Sequence, residues 1–432
     1  MFAYYLQLAL RSFRNSKVLT ALMVLAIALG IGASMTTLTV FHVLSGDPIP
    51  DKSDRLFYVQ LDASSMRGYA AGEEPDLQMT RLDAETLLEE ARGVRQAVMT
   101  GGFVAVQPGG ERVPFFTDAR YTSADFFPMF DPPMAFGRAW SASDDVDRAR
   151  VVVLSDETNR SVFGGEDSTG RTLRINNADF RVIGVLASWA PAPRFWDLSL
   201  DAFGSLESVF VPFSTAIELK LARMGSMTCW GDSGLDSTTR NAPCTWLQYW
   251  VELDAPASAL AYRDYLEAYS DKQRAAGRFE RPTNVRLRDV RAWLDQNQVV
   301  PNDVRLQVWL ALGFLLVCLI NTVGLLLAKS LRRASEIGVR RALGASRRAI
   351  FAQFLVEAGA IGVAGGVVGL GLALLGLWAV RQSPSAYAGL AQLDVSMLSL
   401  TFALSIVASL LAGLLPAWRA MQVTPAIQLK SQ

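Results

Sequence analysis

Four long apolar stretches interrupt an otherwise mixed pattern of polar and hydrophobic positions, at roughly 18–44, 306–328, 350–380 and 397–415. A helix needs about 20 apolar residues to cross about 30 Å of hydrocarbon, so each predicts a transmembrane helix. The first is longer than a signal-peptide core of about 7–15 residues and no small-x-small site follows it cleanly, so it reads as a retained span. Between the first and second stretches the pattern changes. Short β-type runs at 56–61, 96–106, 113–121, 150–154, 172–175, 180–186, 209–213, 246–253 and 284–289 alternate with helical runs at 82–92, 156–163 and 256–278. Asn176-Asn177 marks a hairpin turn. The predicted fold class is an α-helical membrane protein with four transmembrane helices and a large α+β domain at 45–303, inserted between the first and second spans. The similar strand–helix–strand units at its two ends suggest one lobe built from both ends and a β-rich lobe inserted at roughly 133–215.

Composition agrees: 51% hydrophobic and 19% charged residues compare with about 45–50% and about 25% in soluble domains. Disordered and fibrous classes are excluded, and a soluble enzyme is disfavoured. The formal net charge of zero hides a segregation. Residues 45–303 hold 38 acidic and 27 basic side chains, whereas the rest of the chain holds 3 acidic and 14 basic ones. Cations near span ends mark the cytoplasmic side. Arg11, Arg14 and Lys17 precede the first span; Lys329, Arg332, Arg333, Arg340, Arg341, Arg347 and Arg348 lie between the second and third; Arg419 and Lys430 follow the fourth. Both termini (1–17 and 416–432) and the 329–349 loop are therefore assigned to the cytoplasm, with 45–303 and the short loop at 381–396 outside.

Cys229 and Cys244 bracket a Gly/Asp/Ser/Thr-rich exterior loop, and Cys318 lies in the second span. With no histidine and no CxxC nearby, the exterior pair reads as a loop-closing disulfide, free thiols being the alternative. Such a bridge stabilises by roughly 3 kcal/mol in the chain-entropy model. Gly362, Gly365, Gly366 and Gly369 form two overlapping GxxxG spacings in the third span, which allow close helix approach either within one chain or across a dimer. Glu357 is an intramembrane charge near the inner boundary, with Arg347 or Arg348 as expected partner. The absence of other ionisable groups at mid-span argues against an ion-coupled carrier.

No GxxxxGK[ST] is present, so the chain itself is not expected to bind nucleotide, and no cofactor or metal is expected on it. Gly231-Asp232-Ser233-Gly234 is similar to a serine-protease nucleophile segment. That chemistry needs a histidine base, and the sole histidine, His42, closes the first span. The pairs Glu73-Glu74 and Asp144-Asp145 read as solvated surface.

The most specific text is the run from Ser330 to Glu357. Glu336, Ile337, Gly338, Arg340, Ala342, Gly344 and Ala345, followed by Ile350, Gln353, Phe354, Leu355 and Glu357, resemble the EIGxRxAxGAxxxxIxxQFLxE pattern of the MacB/FtsX-like ABC transporter permeases. The N-terminal ALRSFRNSKVLTALMVLAIALGIG resembles that family's elbow helix and first span. The exterior Gly137-Arg138, Val153-Leu154-Ser155, Phe163-Gly164-Gly165, Gly170, Leu173 and 182–185 resemble its periplasmic core domain, and Pro416, Ala417, Ala420 and Pro425 its PAxxA…P tail.

The resemblance implies a multi-pass protein of the bacterial inner membrane with a periplasmic domain and a cytoplasmic coupling loop. Glu336, Ile337, Gly338, Arg340, Arg341, Gly344 and Ala345 would dock an ATPase. It implies a separate cytoplasmic ABC ATPase carrying ATP and Mg, a second permease (identical or a paralogue), and room for a periplasmic adaptor; nucleic acid is not an expected partner. The expected function is mechanotransmission for efflux or extraction of a hydrophobic or peptide-like cargo. The alternative is an FtsX-like signalling scaffold that moves no cargo.

Overall fold

The computed structural model describes residues 2–109, 112–232, 234, 236–383 and 395–422. The chain forms two compact units, Met1–Ser45 with Val300–Gln432, and Gly46–Val299. Helices α1 (Phe2–Asn15) and α2 (Lys17–Ser45) open the first unit. The second follows as β1 (Leu56–Leu61), β2 (Met79–Thr80), α3 (Arg81–Glu90), β3 (Arg95–Gln107), β4 (Phe115–Thr122), α4 (Phe126–Phe130), β5 (Met134–Gly137), α5 (Ala142–Val146), β6 (Val151–Leu154) and α6 (Asp156–Phe163). It continues with β7 (Thr172–Ile175), β8 (Ala178–Leu186), β9 (Val209–Pro212), α7 (Phe213–Glu218), β10 (Arg223–Met224), β11 (Thr228–Cys229), β12 (Cys244–Glu252), α8 (Pro256–Ala275), β13 (Val285–Asp289) and α9 (Val290–Gln296). The first unit resumes with α10 (Asn302–Arg332), α11 (Ala334–Ala342), α12 (Arg347–Arg381) and α13 (Val395–Met421).

Gly46–Val299 is built on one sheet ordered β13-β1-β12-β3-β4-β9-β6-β8-β5, mostly antiparallel, with β4–β9 and β6–β8 parallel. Side chains alternate between its faces. Leu56, Tyr58, Val151, Val153 and Trp250 enter one core, rich in Trp and Phe; Val59, Leu61, Val152, Leu154 and Val251 enter the other. Both faces of the sheet are thus covered. Within the 133–215 segment expected as a β-rich lobe, β9 pairs in parallel with β4, and β6, β8 and β5 continue the same sheet. Strand β4 also carries Arg120, fully buried, with its guanidinium on Asp197 at 2.7 Å and on Glu207.

In the first unit, α2, α10, α12 and α13 are long and apolar enough to cross a membrane, four such helices among the described residues. Met23, Ile27, Ile31 and Met35 line one stripe of α2 and pack on Leu315, Leu326, Ala358, Ile361 and Ala373. Interhelical gaps close through glycines. A Cβ on Gly362 would meet Ser409 Oγ at 2.0 Å and one on Gly366 would meet Ser405 Oγ at 2.5 Å, both on α13. On the other side, Gly365 faces Ile27 and Gly369 faces Ile31 of α2. The four glycines therefore serve two contacts inside one chain.

Candidate functional site

The segment 329–349, expected as a loop, is mostly helix. Lys329 to Arg332 remain in α10, because an intrahelical hydrogen-bond ladder does not stop where the apolar run does. One residue, Arg333, separates α10 from α11. Helix α11 ends at Ala342 with Leu343 as its C-cap, and the next residue, Gly344, has a φ of 101°, the left-handed conformation that favours glycine. Ser346 then caps α12, its side chain accepting from the Ala349 N–H at 3.2 Å.

Helix α11 is keyed to its neighbours. Glu336 accepts from Arg333 Nε at 3.2 Å and pairs with Arg340 Nη2 at 2.6 Å, and Arg340 Nη1 donates to Gln353 Oε1 of α12 at 3.2 Å. Ile337 is buried with Ile350, Phe354, Ala417 and Ala420, and Ala345 packs at the edge of that cluster. Gly338 is buried beside Ile337. Arg341 Nη1 donates to the Met421 carbonyl at 3.3 Å. The opposite face is open: Val339 and Leu343 are exposed, as are Arg347 and Arg348 at the start of α12.

Directly beside α11 lies a buried charge cluster. Glu357 of α12 is 1% exposed and forms an ion pair with Lys329 of α10, itself 3% exposed. Lys329 Nζ also donates to Thr20 Oγ1 of α2 at 3.4 Å and stands 5.2 Å from the Phe13 ring centroid. Arg333 Nη1 reaches Glu357 Oε2 at 3.4 Å and Ser12 Oγ of α1 at 2.9 Å, and Ser12 Oγ donates back to Glu357 Oε1. One carboxylate thus joins α1, α10 and α12, with Lys329 carrying the network on to α2. Arg347 and Arg348, the expected partners of Glu357, are not its partners: ten and nine residues along a helix place them roughly 14–15 Å away. In the sequence Lys329 is one of several cations between the second and third spans, and no local pattern sets it apart as the partner of Glu357.

Elsewhere, Cys229 and Cys244 are joined by a disulfide between facing positions of β11 and β12. Cys318 is buried in α10. His42 is exposed in the last turn of α2. Ser233 of the GDSG segment and Leu235 just after that segment lie outside the described residues, as do 384–394 of the loop after α12 and 423–432, with Pro425 and Lys430. The acidic pairs are not merely solvated. Glu74 pairs with Arg286 and Arg288, and Asp144 closes a capping box with Ser141 that holds its carboxyl below the usual range. Asp145 is pushed up to about 7, chiefly by burial. No group of three or more His, Cys, Asp or Glu side chains suited to a metal occurs among the described residues.

The MacB-like periplasmic core domain model matches residues 20–269, and the FtsX-like permease C-terminal model matches 308–425. The chain belongs to the MacB/FtsX-like ABC transporter permease family. Both matched models are permease domains and neither is an ATPase domain. Within that class it is similar to the macrolide export ATP-binding/permease protein MacB of Rhodospirillum rubrum, 28% identical over 100% of this chain and 61% of that protein. MacB of Azoarcus sp. is 25% identical over 98% and 59%, and the pyoverdine export ATP-binding/permease protein PvdT of Pseudomonas entomophila 26% over 99% and 59%. The chain spans about three-fifths of the length of these relatives. The crystal structure of the periplasmic region of MacB from Actinobacillus actinomycetemcomitans covers 58% of this chain and 94% of its own, at 16% identity and a TM-score of 0.38.

Proposed function

We propose that this chain is the permease of a MacB-type exporter, converting ATP hydrolysis on a separate cytoplasmic ATPase subunit into motion of a periplasmic domain formed by Gly46–Val299. The observation that carries this reading is the keying of α11 to α12 through Glu336, Arg340 and Gln353, beside a carboxylate that ties α1, α10 and α12 together. A force on the open face of α11 has no slack to absorb it before two long helices move. Exposed Val339 and Leu343, flanked by Arg347 and Arg348, suit an apolar docking groove with an acidic rim on the ATPase. The positive flanks support cytoplasmic termini and a cytoplasmic α11 in a bacterial inner membrane. A second permease, identical or paralogous, completes the assembly, with ATP and Mg held by the ATPases and a periplasmic adaptor as a further component. The relatives are named for macrolide export and pyoverdine export, which supports a hydrophobic or peptide-like cargo.

The test is purification of the full chain from its native membrane, followed by identification of copurifying proteins and ATP turnover in lipid nanodiscs. A copurifying ABC ATPase whose turnover rises with a hydrophobic or peptide-like compound supports export. Stimulation only by an exterior protein would replace export with signalling, and the absence of any ATPase would overturn the reading.

A further inference from the structure

We propose that the Gly46–Val299 unit carries a binding site for a planar organic carboxylate, in the cavity beside Trp246. The cavity has a volume of about 530 Å³, within the range of roughly 300–1,000 Å³ usual for small-molecule sites. Its apolar wall is Ala216, Ile217 and Leu221; Tyr121 and Trp246 supply aromatic surface; Arg81, Lys220 and Arg223 face a single acid, Asp236.

The charges are unequally satisfied. Arg81 is neutralised by Glu85 at 2.6 Å, and its Nη1 donates to the Thr238 carbonyl at 3.1 Å. Lys220 and Arg81 both help hold the Asp236 carboxyl below its usual range, after the larger effect of the Thr238 hydroxyl and N–H. Arg223 is left over. It is half-buried, and its Nη1 donates only to the neutral carbonyls of Gly225 and Ser226 at 3.0 and 3.1 Å. No carboxylate lies within ion-pair distance of it among the described residues, and burial alone moves its pKa, downward. Partly desolvating a cation without a counter-charge is unfavourable, so the site gains when an anion enters.

A second observation comes from Trp246. It is 1% exposed, it lies under the Arg223 guanidinium at 6.0 Å from the ring centroid, and its indole N–H has no hydrogen-bond partner. Buried indole N–H groups usually find one. A guanidinium fork takes a carboxylate through two parallel hydrogen bonds, and the aliphatic wall accommodates a flat apolar body. The Cys229–Cys244 disulfide closes the loop that contributes Asp236, Thr238 and Thr239, fixing that wall. The site does not depend on the transport reading, because binding is read on the chain alone.

The test is equilibrium dialysis of naphthalene-2-carboxylate against the full chain in lipid nanodiscs, with empty nanodiscs as background. Saturable binding that weakens at least about tenfold in Arg223→Gln, as expected for loss of a charged hydrogen-bond partner, and is partly retained in Arg223→Lys, supports the site. The neutral naphthalene-2-carboxamide should bind the unaltered chain correspondingly less, a comparison that needs no variant to fold. Equal binding of acid and amide, equal binding by Arg223→Gln, or no saturable binding above background would each overturn it.

Discussion

Lys329 and Glu357, separated by 28 positions and carried on different helices, form a buried ion pair at the junction of α10 and α12. Charged groups inside a membrane protein are retained at an energetic penalty unless they face one another. This pair is joined by Arg333 and Ser12, so both oxygens of the carboxylate have a donor within reach.

Removing one partner alone leaves the other charge buried. Glu357→Gln or Lys329→Met should each destabilise the chain by about 3–5 kcal/mol, whereas the exchanged pair Lys329→Glu with Glu357→Lys should recover part of that loss. Unfolding in detergent, followed by tryptophan fluorescence, measures it. Losses below about 1 kcal/mol in both single variants would put the pair among surface ion pairs of no consequence.

Gly344, directly after the C-cap of α11, has φ at 101° and its N–H on the Arg341 carbonyl at 3.1 Å. Proline, which holds φ near −65° and has no N–H, cannot stand there. Gly344→Pro should leave the chain inserted but cut the response of ATP turnover to cargo, and Glu336→Lys should act alike by facing Arg333 and Arg340 with a third cation. Unaltered stimulation of the copurified ATPase in both would remove α11 from the coupling path.

Gly362 has no room for a methyl group: its Cβ would lie 2.0 Å from Ser409 Oγ and 3.0 Å from the Ser405 carbonyl. Gly362→Ala should cost about 1–3 kcal/mol, the usual penalty of overpacking. Adding Ser409→Ala should restore part of it, and no recovery would mean that the backbone contact dominates.

The Asp145 carboxyl, raised to about 7 from 3.8 chiefly by burial, then by Asp125 and Asp144 against the opposing Ala124 N–H, makes stability depend on pH. Between about 4 and 7 the folded chain keeps a proton that the unfolded chain has released, so stability falls as pH rises through that window. Asp145→Asn removes the term. Its unfolding midpoint relative to the unaltered chain should rise between pH 5 and pH 8, and an equal difference at both values would assign the titration elsewhere.

Much of the fold could be read from local pattern. Strands β1 and β7 and helix α6 start and stop where alternation, turn residues and caps place them, and Asn176 and Asn177 both take positive φ, as a hairpin turn requires. The four apolar helices follow from the thickness of a bilayer. Glu336, Ile337, Gly338, Arg340 and Arg341, the residues proposed for coupling, stand together because they share one short helix, with Gly344 and Ala345 directly after it.

What local pattern could not supply were partners distant along the chain. Arg120 reads as one polar position in an alternating strand; only the return of the 194–207 segment beside β4 buries it against Asp197 and Glu207. The parallel pairing of Ala119–Thr122 with Val209–Pro212 likewise merges the 133–215 segment into one sheet. In the membrane unit, GxxxG spacing announced close packing, but only the assembled helices decide that two of the glycines receive α13 and two receive α2. Periodicity, turn chemistry and span length arise between covalent neighbours and their solvent, so the amino-acid order alone determines them. The choice of Lys329 over Arg347 for Glu357 depends on which helices lie side by side, a balance of packing and desolvation that exists only in the folded chain.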